Sequence, residues 1–112
     1  MRVLAVVGSF CFLLVSGVAA AETWSNVSLI DAMCSTNAKA KPDAHTTACA
    51  LQCAKSGFGI VTPDGSYRRF GDDGNTKVLA ALKTTKKADH LRVSVTGERQ
   101  GDTIKASAIR ID

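Results

Sequence analysis

Apolar and polar positions alternate clearly in three parts of this chain. Val27 and Leu29 alternate within Thr23–Asp31, and Leu91, Val93 and Val95 alternate within His90–Gly97. Ile104, Ala106 and Ala108 do so from Thr103, after which the pattern slips one place to Ile109 and Ile111. Period-two alternation marks a strand with one buried face, and the slip predicts a bulge or strand end between Ala108 and Ile109. Glu98–Asp102, with Gly101, makes the turn between the last two strands. Two shorter strands, Phe58–Thr62 and Ser66–Phe70, flank Pro63-Asp64-Gly65. Proline presets the first bend there and glycine takes a positive φ, so this segment predicts a hairpin with Phe58 and Phe70 in the core.

Two segments carry helical patterns instead. Val78, Leu79 and Leu82 share one face of a helix over Thr76–Thr84, closed by Lys83, Lys86 and Lys87 on the favourable side of its dipole, with Gly71–Asn75 as the loop before it. Ala44–Ser56 holds good helix formers, with Asp43 as its expected N-cap and Gly57 as a left-handed terminator. Ala32–Ala44 is small and polar, and Pro42 marks it as loop. The order is strand, helix, strand, strand, helix, strand, strand. The expectation is a mainly β (α+β) fold, a five-stranded OB-like antiparallel barrel. A cysteine-bearing helix follows strand 1, and a second helix lies between strands 3 and 4.

The N-terminus changes the count of what folds. Met1–Ala20 has one charge, Arg2, then the apolar run VLAVVGSFCFLLVSGVA and small residues before Glu22. This is the layout of a secretory signal peptide cleaved after Ala20 or Ala21. Residues 21–112 are then a single domain exported to a periplasmic or extracellular space, with no membrane span after cleavage. The exported part keeps 13 basic and 10 acidic residues. That excess is spread over many loops, so nucleic acid is not an expected partner; a nucleic-acid face needs its basic residues gathered. A domain this small often relies on a disulfide or a metal.

Cysteine arithmetic makes that support concrete. Losing Cys11 with the leader leaves Cys34, Cys49 and Cys53, an odd number in an oxidising compartment. On a continuous helix, His45, Cys49 and Cys53 stand at i, i+4 and i+8, neighbours about 6 Å apart along the axis. Ligand bonds to zinc run about 2.0–2.3 Å, so two neighbours can share an ion while all three cannot, unless the helix ends or bends before Cys53. Cys34 from the preceding loop completes a candidate site of Cys34, His45, Cys49 and Cys53 for zinc or copper(I). The competing expectation is a disulfide from Cys34 to Cys49 or Cys53, closing a loop of about 15–20 residues and worth roughly 3 kcal/mol.

Other chemistry finds no motif. The chain has no G-x-S-x-G elbow, H-E-x-x-H pair, phosphate loop or C-x-x-C. Asp72, Asp73 and Asn75 resemble half a calcium loop without its closing glutamate, and read as turn chemistry. The expectation is therefore not an enzyme. Tyr67 with Arg68 and Arg69 is the one stretch that reads as a barrel binding face, either for a protein partner or for nucleic acid.

The stretches VSLIDAMC, AHTTACALQCAKSGFGIV, PDGSYRRFGDDGN and LRVSVTGERQGDTIKASAI resemble a group of small exported bacterial proteins. The last stretch also looks like the closing strand pair of periplasmic OB-type domains. The resemblance implies that fold and an exported location, and it carries no assigned activity to transfer. The functional expectation is a small non-enzymatic binding module, metal-binding through its Cys/His cluster. Its alternative is a disulfide-stapled domain that binds a partner on the barrel face.

Overall fold

The computed structural model describes residues 21–112; the leader expectation for Met1–Ala20 lies outside these. Five strands, β1 (Glu22–Asp31), β2 (Phe58–Val61), β3 (Tyr67–Phe70), β4 (Arg92–Gln100) and β5 (Thr103–Ile111), close into a barrel in the order β1-β2-β3-β5-β4. Four of the contacts are antiparallel, and β3 meets β5 in parallel at Arg69–Thr103 and Phe70–Ile104. This corrects the expectation of an antiparallel barrel throughout. A closed ring with an odd number of strands cannot alternate direction at every contact, so one pair must run parallel.

β1 serves two neighbours. Its first half pairs with β4 and its second half with β2, in a register running from Ser28–Val61 to Asp31–Phe58. Between Trp24 and Val27 the register shifts, and Asn26 takes φ 53°. Such a bulge bends and twists a strand, which is what lets one strand close a ring. A second bulge lies in β5: Thr96 faces Ala108 but Gly97 faces Ala106, which leaves Ser107 extra. Its hydroxyl donates to the Thr96 carbonyl at 3.1 Å. The slip expected between Ala108 and Ile109 therefore falls one residue earlier, because the backbone rearranges at the unpaired Ser107.

The hairpin forms as expected around Gly65 at φ +83°, with Thr62 N–H donating to the Ser66 carbonyl. β4 begins at Arg92, later than expected, because His90 adopts φ 51° and breaks the extended run. It also runs on to Gln100, so the turn narrows to Gly101-Asp102, with Gly101 at φ +62°.

Helix α3 spans Asp72–Thr84, a full turn earlier than its apolar pattern indicates. Asp72 and Asp73 in its first turn suit the positive end of the dipole. Gly74 packs so closely on Phe70 that an added Cβ would sit 2.8 Å from the Phe70 Cβ. Asn75 Oδ1 accepts from Phe58 N–H at 2.9 Å, which ties the helix to the start of β2. Val78 and Leu82 are buried in the barrel core with Leu29, Phe58, Ile60, Phe70, Leu91, Val93, Val95 and Ile104. Among the described residues, no helix is long and apolar enough to cross a membrane.

Between β1 and β2 lies a 26-residue insertion, Ala32–Gly57. It contains α1 (Ser35–Ala38), a 3-10 turn at Pro42–Ala44, α2 (Thr47–Gln52) and a 3-10 turn at Ala54–Ser56. The single helix expected over Ala44–Ser56 is thus only six residues long. Its N-cap is Thr46, whose hydroxyl accepts from Cys49 N–H at 3.1 Å. The expected cap, Asp43, is drawn away by Arg92, whose Nε and Nη2 both donate to its carboxylate at 2.9 Å. Gly57 closes the insertion with the positive φ expected, +84°, but its ψ of 176° is extended and not that of a left-handed helix cap, and it ends the 3-10 turn after α2 and not α2 itself.

Candidate metal centre

The residues Val27, Leu29 and Asp31 take successive inward positions of β1. The last of these is a carboxylate, fully excluded from solvent where the strand runs into the insertion. A carboxylate cannot be buried there without partners. Asp31 Oδ2 accepts from Cys34 N–H at 3.0 Å, and Oδ1 accepts from His45 Nε2–H at 2.6 Å. His45 is itself buried. Facing a carboxylate, its Nε2 is the donor of that bond.

Hydrogen bonds between the two ends of the insertion bring its cysteines together. Ala32 N–H donates to the Gly57 carbonyl at 2.8 Å, and Met33 N–H donates to Ser56 Oγ at 3.0 Å. Ser56 Oγ–H in turn donates to the Cys53 carbonyl at 2.8 Å. Cys34 precedes α1 and its side chain makes no capping bond, so the sulfur is available to turn toward Asp31. Cys53 is the residue on which α2 ends, with φ −101° and ψ 17°. As a result one oxygen of Asp31 and the sulfurs of Cys34 and Cys53 lie within 4.8 Å of one another. Burial, followed by the hydrogen bond and charge of Asp31 and the neighbouring Cys53, pushes the Cys34 thiol up to about 11. Cys34, Cys49 and Cys53 are unpaired thiols.

The four residues singled out by spacing are therefore distributed unevenly. Cys34 and Cys53 meet directly. His45 reaches them through Asp31, from an extended backbone one residue before the N-cap and not from the helix. Cys49 is exposed and lies outside the cluster. The i, i+4, i+8 argument assumed one continuous helix; α2 starts after His45 and ends before Cys53. Asp31 was the residue missed, although its inward register on β1, three residues before Cys34, could have pointed to it. A surface cleft of about 290 Å³, lined by Cys34, Asn37, Ala38, Lys41, Ala44 and His45, opens beside the cluster.

Tyr67, Arg68 and Arg69 on β3 have internal partners. The Tyr67 hydroxyl donates to the Ile30 carbonyl at 3.0 Å, and burial holds it well above the usual tyrosine range. Arg68 pairs with Asp102 at 3.0 Å. Arg69 donates to the Ser56 carbonyl at 3.1 Å, which braces the turn that carries Cys53. One of the three residues of the expected binding face, Arg69, thus supports the insertion.

No protein-family model, curated protein or solved structure matches this chain.

Proposed function

We propose that this chain is a small exported, non-enzymatic binding module that holds a zinc-class ion between Asp31, Cys34 and Cys53. The observation that carries this reading is the convergence of one carboxylate oxygen and two sulfurs within 4.8 Å. Two thiolates and a carboxylate suit zinc, which accepts both donor types. An all-sulfur set would favour copper(I). His45 belongs to the outer shell: it orients the ligating carboxylate through Oδ1, the usual arrangement for an acidic ligand. Three protein ligands leave one tetrahedral position for a solvent or cargo ligand, beside the cleft of Cys34, Lys41 and His45.

The strand order, the helix between β3 and β4 and the parallel β3–β5 contact support an OB-type barrel. The order of side chains argues against a cysteine nucleophile. In such an enzyme the imidazole lies between thiol and carboxylate. Here the Asp31 carboxylate lies within 4.8 Å of the Cys34 sulfur and is hydrogen-bonded to His45.

Cobalt(II) titration of the reduced protein tests this reading. Thiolate-to-cobalt absorption should saturate at one ion per chain. It should be abolished by Cys34→Ser or Cys53→Ser and kept by Cys49→Ser. Equal absorption in all three variants would remove the proposal.

A further inference from the structure

We infer that Cys34 and Cys53 are also a reversible dithiol–disulfide pair, so that oxidation closes the proposed metal site and reduction reopens it. This rests on the metal reading for its consequence but on separate observations for its chemistry. The two sulfurs already lie within 4.8 Å of each other. Forming a bond of about 2.05 Å needs them to approach by less than 3 Å. That approach does not disturb the barrel, because neither cysteine belongs to a strand. Cys34 sits in the turn after β1, and Cys53 sits at the joint between α2 and the 3-10 turn. The hydrogen bonds from Ala32 N–H to the Gly57 carbonyl and from Met33 N–H to Ser56 Oγ hold the two joints side by side in either state. Cys49, exposed on α2, lies outside the pair.

The oxidant required is a disulfide of the exported compartment, of low-molecular-weight or protein origin. The Cys53 thiol gives its proton to solvent and its sulfur attacks one sulfur of that disulfide, which forms a mixed disulfide and expels one thiolate. The Cys34 sulfur, after giving up its proton to solvent, then attacks Cys53 Sγ and expels the second thiolate. The Cys34–Cys53 bond forms, the oxidant's bond breaks, and two electrons pass to the two departing thiolates. When an ion is bound, the same two sulfurs are its ligands, so the bond that joins them removes two of three protein donors and the ion departs. Thiol exchange with a reductant runs the sequence backwards.

The test uses full-length exported protein carrying Cys49→Ser, which removes the exposed thiol without touching the pair. Reduced protein is loaded with zinc, exposed to oxidised glutathione, and followed by intact mass, peptide mapping and a zinc-sensitive dye. The expected result is loss of two hydrogens, a Cys34–Cys53 linkage, and release of one zinc per chain, all reversed by reductant. Glutathione adducts that persist on both cysteines, or no oxidation after zinc is stripped, would overturn the pair while leaving zinc binding intact. If the linkage forms and reverses but reduced protein never takes up zinc, the metal reading fails and the gate fails with it, while the redox pair stands.

Discussion

His45 Nε2 lies 2.6 Å from Asp31 Oδ1, and both side chains are almost wholly shielded from water. The contact spans fourteen residues of sequence and pins the middle of the insertion to the last inward position of β1. Removing the imidazole leaves a buried carboxylate with one partner fewer. His45→Ala should therefore destabilise the fold by roughly 3 kcal/mol, the upper end of the cost of leaving a buried polar group short of a hydrogen bond. It should also weaken zinc binding by about 10–100-fold, the usual effect of losing an outer-shell partner. Chemical denaturation and zinc competition read the two effects separately.

Asp31→Asn should split those effects differently. The amide keeps the shape and an acceptor for His45 or Cys34 N–H, so the stability loss should be smaller than in His45→Ala. The charged ligand oxygen is gone, so zinc affinity should fall at least as far. A variant that binds zinc as tightly as the parent would remove Asp31 from the ligand set.

The Asp43–Arg92 fork ties the insertion to β4 through two bonds of 2.9 Å. The Arg92 guanidinium holds the Asp43 carboxyl below its ordinary value. A depressed carboxyl stabilises the fold above the unfolded value of about 3.9 and loses that contribution as pH falls through the folded value. Arg92→Ala should return Asp43 to the ordinary range in an NMR titration. Hydrogen exchange should speed up over residues 39–45 with little change in β5.

Asp64 should produce a separate acid step in the hairpin. Hydrogen bonds from the Thr62 hydroxyl and Ser66 N–H hold its carboxyl down to about 2. Its contribution is complete above about pH 4 and fades as pH falls toward about 2. Amide protection over residues 62–66 should decline across that window, and Asp64→Asn should abolish the pH dependence.

Gly59 marks where β2 passes close to β3. An added Cβ would lie 2.3 Å from the Arg68 carbonyl oxygen and 2.7 Å from the Tyr67 ring. Backbone cannot yield as a side-chain tip can, so Gly59→Ala should cost about 1–3 kcal/mol. It should also disturb the Tyr67–Ile30 bond, visible as a shift in tyrosine absorption. Unchanged stability would mean that β2 and β3 lie farther apart.

The parts of this fold legible in the sequence are those where periodicity governs. β5 falls on Thr103–Ile111 as its alternation indicates, and Pro63-Asp64-Gly65 turns the chain as its residue types require. Gly57 takes the positive φ expected of it. The insertion was less legible, because tertiary partners there override local preference. Asp43 is an excellent cap in isolation, yet Arg92, 49 residues away, claims it, and the start of α2 passes to Thr46. That shift takes His45 off the helix and toward Asp31, so a spacing rule for a continuous helix no longer applies. α3 extends to Asp72 because Gly74 fits against Phe70 and Asn75 bonds Phe58, contacts that Gly71–Asn75 alone does not signal.

Native mass spectrometry of the reduced, zinc-exposed protein, followed by denaturation with a thiol-alkylating reagent, tests the central claim most directly. The account predicts one zinc per folded chain, lost on denaturation, and alkylation of Cys34, Cys49 and Cys53 once the chain unfolds. It also predicts that zinc protects Cys34 and Cys53 from alkylation in the folded protein while exposed Cys49 reacts freely. A reduced, folded chain that carries no zinc and whose Cys34 and Cys53 react at the same rate with and without zinc would contradict it.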